Sequence, residues 1–143
     1  MSVSSINAQL PLPYWAVYSA TKAALVAMSD ALRMELAPSG VAVSVLTLGA
    51  FATDIRRGAL EAWPSSAAYE SARRTTGALV AMLDATAAEP AAAADALLTL
   101  LGAADPPAHH AAGNGIEDLL ALAAQPATVR DAAIGDLLAS VSR

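Results

Sequence analysis

The stretch "SVSSINAQLPLPYWAVYSATKAALVAMSDAL", residues 2–32, runs from a short extended segment through a proline-bearing loop into a long helix. Residues 1–4 read as a strand, and Pro11 and Pro13 mark the loop that follows. From Tyr14 to Ala37 the pattern is helical: Leu25, Met28, Leu32 and Leu36 recur at intervals of three and four. Pro38, Ser39 and Gly40 end the helix. The next segment, "VAVSVLTL" at 41–48, alternates branched apolar residues with small ones and predicts a buried strand. Strand, helix and strand joined by short turns make an α/β unit.

Further along, Leu79, Val80, Met82 and Leu83 give an apolar side to a helix over 66–85. "EPAAAADALLTLLGAAD" predicts a helix with Pro90 in its first turn and Gly102 near its end. A last strand over 107–112, a turn at Gly113-Asn114-Gly115 and two helices over 116–124 and 126–141 complete the chain. The expectation is one domain with about three parallel strands flanked by helices, and with the strand at Met1 on an exposed edge. It divides into 1–55, a middle stretch over 56–88, and 89–143.

Composition narrows the partners. Among 143 residues, 38 are Ala and 33 are Leu, Ile, Val or Phe, so the core is helix-rich and lightly packed. The net charge is −5 and the 8 basic residues are scattered, apart from Arg56/Arg57 and Arg73/Arg74, so no basic footprint for nucleic acid exists. No apolar run is long enough for a membrane span and no secretory leader is evident, which makes a cytoplasmic protein the expectation. With no Cys, disulfides and thiolate chemistry are excluded. His109 and His110 are neighbours on a strand, point to opposite faces and cannot share one metal ion.

Tyr18 and Lys22 lie four apart on the first helix and project from one face. A free phenol titrates near ~10, so a Tyr that moves protons near neutrality must titrate about three pH units lower, roughly 4 kcal/mol. A fixed ammonium nearby supplies part of that. Ser5, thirteen positions before Tyr18, brings a hydroxyl from a strand end that can hydrogen-bond a carbonyl oxygen as charge builds on it.

With its order of strand, "SS", thirteen-residue step, Tyr, Lys, helix, strand, Gly49 and Thr53, the chain resembles the short-chain dehydrogenase/reductase family. The resemblance runs through "YSATKAAL" and "SDALRMELAPSGVAVSVLTLGAFATDI", and more weakly through "EPAAAADALLTLLGAADPPAHHAAGNG". It implies the C-terminal, catalytic part of a doubly wound Rossmann-type α/β fold, with the N-terminal nucleotide-binding half and its Gly-rich phosphate loop missing. It also implies an oxidoreductase using NAD or NADP on a small alcohol or carbonyl substrate. In these terms Tyr18 is the general acid/base, Lys22 lowers its pKa and binds the nicotinamide ribose, and Ser5 polarises the carbonyl. Gly49, Phe51 and Thr53 belong to the stretch at the nicotinamide end of the cofactor.

The sequence departs from the family in having Leu48-Gly49 for Pro-Gly and Ala8 for Gly. Arg56 and Arg57 suit a solvated loop better than a cofactor phosphate, and Trp63 and Tyr69 fall in the variable segment that covers substrate in the family. A chain of this kind is expected to bind NAD(P)H weakly, to be inactive alone, and to self-associate or form a homo-oligomer through its open sheet edge. The alternatives are a non-catalytic packing or assembly module that keeps the same helix and strand, and an epimerase of the extended branch, for whose sugar-nucleotide domain the region after Gly49 leaves little room.

Overall fold

The computed structural model describes residues 1–56 and 66–141. The side chain of Arg56, and Arg57, Trp63 and Pro64, lie outside the described residues. Three strands, β1 (Ser2–Ser5), β2 (Val45–Leu48) and β3 (His109–Ala112), form a parallel sheet in the order β1-β2-β3. Their registers align Ser2, Val45 and His109 in one row and Ser5, Leu48 and Ala112 in the last. The α/β class with three parallel strands and flanking helices is therefore as the sequence predicts. β2 starts at Val45 rather than residue 41 and β3 at His109 rather than 107, because pairing begins only where Ser2 N–H reaches Ser44 O and Val45 N–H reaches Ala108 O. Val41 and Ala42, ahead of that point, are exposed.

Helix α1 (Ala16–Leu36) returns across β1 and runs against its direction: Lys22 lies beside Val3 and Ser4, and Ser29 beside Ser2. The periodicity that marks this helix does not mark its fully buried positions, for Leu25, Leu32 and Leu36 are half-buried. Met28 is 52% exposed, whereas Ser19 and Ser29 are the buried residues of this helix. The cause is close approach: Ser29 Oγ, which donates to its own helix at Leu25 O, is hydrogen-bonded to Ser2 Oγ at 2.9 Å, and Ser4 Oγ donates to the Lys22 carbonyl at 3.2 Å, distances that a Leu or Met side chain would hold apart. The helix ends as the sequence demands, through a short 3-10 turn at Ala37–Ser39 and Gly40 in the left-handed region at φ 70°.

Of the remaining helices, α2 (Glu70–Ala85) packs on α5 (Ala127–Val141), burying Leu79 and Ile134. Helix α3 (Pro90–Gly102) starts at Pro90 after the extended Glu89, buries Leu100 and packs on β2 and β3. Helix α4 (Ile116–Ala123) packs on β3 and on the 3-10 turn Ile6–Ala8 that follows β1. The central strand carries the densest core, with Val45 and Leu46 almost without solvent contact.

Candidate active site

At the C-terminal end of β1 the extended backbone of Ser5 caps the Ile6–Ala8 turn, its Oγ accepting from Asn7 N–H at 3.3 Å. A hydroxyl that accepts there still has its own O–H to donate. The chain then passes a turn in which Trp15 N–H bonds Leu12 O at 3.2 Å and Tyr14 takes φ 70°, an uncommon conformation for a residue with a side chain. This turn delivers the first residues of α1, and Tyr18 with them, to the Ser5 end of β1. Tyr18 is 44% exposed there.

One turn along α1, Lys22 Nζ lies 5.8 Å from the centre of the Tyr18 ring and donates to Val3 O at 3.3 Å. The second contact has a topological cause. Ser2 N–H bonds toward β2, so the alternation along a strand turns the polar groups of Val3 away from β2, to the open side of β1. Lys22 covers that carbonyl. Ser5, Tyr18 and Lys22 thus stand on one β1–α1 unit, with Ser5 and Tyr18 at the same end and Lys22 one turn below.

Gly49, Phe51 and Thr53 follow β2 at this end of the sheet. Gly49 N–H bonds Ala112 O at 2.9 Å, and Phe51 forms a parallel bridge with Ala88, in which Ala88 N–H bonds Ala50 O and Ala52 N–H bonds Ala88 O, both at 2.9 Å. Thr53 N–H turns back on Phe51 O at 2.9 Å and leaves Thr53 exposed. Tyr69 is exposed at the start of α2. His109 hydrogen-bonds Asp30 of α1 at 2.9 Å, a strand-to-helix link. A depression of about 490 Å³ is lined by Gln9, Thr47, His109, His110, Ala111 and Leu120; none of Ser5, Tyr18 or Lys22 lines it.

The partners of the Gly49–Thr53 segment carry no signal in the sequence. Gly113 is legible as a turn residue, and the structure places it at φ 130°, but its closeness to Gly49 is a tertiary contact with no local mark. Asn7 escapes a reading of the sequence as well: it is buried, and its Nδ2 and the Ser19 Oγ, neighbours in sequence of Ser5 and Tyr18, have no hydrogen-bond partner among the described residues.

Known proteins similar to this chain share its parallel α/β fold. Residues 1–64 match the family described as short chain dehydrogenase. An NADPH-dependent 1-acyldihydroxyacetone phosphate reductase of Schizosaccharomyces pombe is 43% identical over 56 residues, which make up 39% of this chain and 19% of that protein. A short-chain dehydrogenase of Neurospora crassa, srdE, is 42% identical over 55 residues, 38% of this chain and 19% of that protein. The crystal structure of a short-chain dehydrogenase from Streptomyces avermitilis superposes with a TM-score of 0.69 at 34% identity, covering 84% of this chain and 45% of that one. Sequence over the first 64 residues and fold over most of the chain relate this protein to the short-chain dehydrogenases. The chain spans less than half the length of each of these relatives.

Proposed function

We propose that this chain carries the catalytic and nicotinamide-ribose side of an NAD(P)-dependent oxidoreductase acting on an alcohol or carbonyl. The observation that supports it is the Tyr18–Lys22 pair at 5.8 Å, with Tyr18 exposed at the end of β1 where Ser5 keeps a free O–H. The donor set suits the cofactor: an ammonium has three N–H bonds, of which Val3 O takes one, and two remain for ribose hydroxyls. When bound, the nicotinamide supplies or takes up the hydride. Tyr18 gives its phenolic proton to the substrate oxygen in reduction and recovers it in oxidation. Ser5 donates to that same oxygen and holds it in place as charge develops, while Lys22 keeps a positive charge beside the Tyr18 ring throughout the proton transfer.

Pyrophosphate binding in doubly wound folds uses the Gly-rich turn after the first strand and a helix N-terminus, whereas the turn after β1 here is Ile6-Asn7-Ala8, without glycine. The chain alone is therefore expected to bind NADH or NADPH weakly and to turn over nothing. Titration of the ¹⁵N-labelled chain with each cofactor tests this. The expected result is a weak response at Tyr18, Lys22 and Gly49–Thr53; low-micromolar binding, or a response confined to other residues, overturns it.

The contact of Lys22 with Val3 O favours a second reading, a non-catalytic packing module in which Lys22 serves β1 alone. A wild-type chain whose Tyr18 and Lys22 resonances ignore both cofactors at saturating concentration would support that reading.

A further inference from the structure

We propose that Gly113 is a positioning residue for the Gly49–Thr53 segment, a role that rests on the reading of that segment as the one that meets the nicotinamide. Gly113 follows β3 at φ 130°, and a Cβ built on it would lie 3.2 Å from both Cα and N of Gly49 and 3.4 Å from Cε2 of Phe51. Two of those three atoms are backbone, so no rotamer change makes room. The missing side chain is what lets the turn after β3 press against the chain leaving β2.

The press is one side of a closed ring. Gly49 N–H is held by Ala112 O, and on the far side Ala88 brackets Phe51 through its bonds with Ala50 and Ala52. Asn114 Nδ2 then donates to Thr86 O at 3.2 Å and joins the turn after β3 to the end of α2 that leads into Ala88. The segment that ends in the exposed Thr53 is thereby fixed from both sides. Neighbouring glycines show the contrast: a Cβ on Gly49 would make ordinary contacts at 3.7 Å, and one on Gly115, at φ 64°, would meet nothing within 4 Å.

Gly113→Ala and Gly115→Ala both place alanine at positive φ, with more strain at 130° than at 64°, but only the first also forces Gly49 and Phe51 to move. In the ¹⁵N-labelled chain, Gly113→Ala should shift the amide resonances of Gly49, Phe51 and Thr53 and leave those of Ser5 and Lys22 in place, while Gly115→Ala leaves both groups alone. On titration with NADH, the Gly113→Ala response at Phe51 and Thr53 should weaken about tenfold, with the Lys22 response retained. Should Gly113→Ala fail to fold, Asn114→Ala opens the ring without strain and should move the same three resonances. Unmoved resonances in the variant that folds, or equal shifts from Gly113→Ala and Gly115→Ala, overturn the proposal. A wild-type chain without response to NADH at Phe51 and Thr53 overturns the functional reading instead, and the cofactor-free resonances still decide whether Gly113 shapes the segment.

Discussion

Lys22 Nζ is shared between the Tyr18 ring, 5.8 Å away, and the carbonyl of Val3, 3.3 Å away. One cation therefore serves a residue proposed to move protons and a strand that has a neighbour on only one side among the described residues. Unpaired strand edges recruit further strands, and a lysine on the edge is a known guard against it.

Lys22→Met keeps the apolar stem and removes the charge. Because the contact is exposed, the stability lost should be no more than about 1 kcal/mol, while self-association through β1 rises and the response to NADH at Tyr18 disappears. Urea denaturation and sedimentation velocity read the first two; an unchanged sedimentation profile would show that Lys22 does not protect the edge.

Tyr18→Phe removes the proton donor and leaves the ring for Lys22. In any form of the protein that turns over, it should lower kcat at least ~100-fold, with little change in unfolding midpoint because the side chain is half exposed. Turnover near the parent value would assign the proton to another group.

Ser4 is buried, and its Oγ donates to the Lys22 carbonyl. Ser4→Ala should cost about 1 kcal/mol in urea denaturation. Ser29→Leu should cost about 1–3 kcal/mol, because it overfills the space between α1 and β1. A stabilised Leu variant would show that the buried serines are not there for close approach.

Leu46, in the central strand, is 2% exposed. Leu46→Ala should cost about 2–5 kcal/mol, a large share of the stability of a domain this size, and is read by the loss of a cooperative thermal transition at physiological temperature.

Gly49→Ala should be tolerated, with resonances elsewhere in the sheet unchanged, since its Cβ would make only ordinary contacts with Ala112 O, Gly113 Cα and Ile116 Cδ1. Broad resonance shifts would show that the sequence position matters for its backbone and not for the space beside it.

The elements are legible in the sequence because their signals are local. Pro38-Ser39-Gly40 stops α1, Pro90 starts α3, and the branched residues of 41–48 contain β2. The Ser5, Tyr18 and Lys22 spacing is legible for the same reason, being set by one strand end and one helix face. What the sequence does not display is which side of α1 is buried. The periodicity of Leu and Met marks the helix, but its contacts with β1 include the buried Ser29 on Ser2 and Ser4 on the Lys22 carbonyl, and hydroxyls look like surface residues until the partner strand is in place. The approach of Gly113 to Gly49 joins positions far apart in the chain, and a turn glycine carries no mark of what it touches.

The serine contacts between α1 and β1 also decide how the helix is indexed along the strand. An interface of interdigitating Leu and Val can slip by small amounts at little cost, since dispersion attraction given up on one side is recovered on the other. Hydroxyl bonds are short and directional and offer no intermediate settings. With Ser29 latched to Ser2 and Ser4 latched to the Lys22 carbonyl, α1 has two detents set about two turns apart, so it can neither slide nor roll without breaking one. The height of Tyr18 above the end of β1 is then a consequence of where Ser29 meets Ser2 and Ser4 meets the Lys22 carbonyl lower down, and a substitution remote from the phenol can detune proton transfer without touching it.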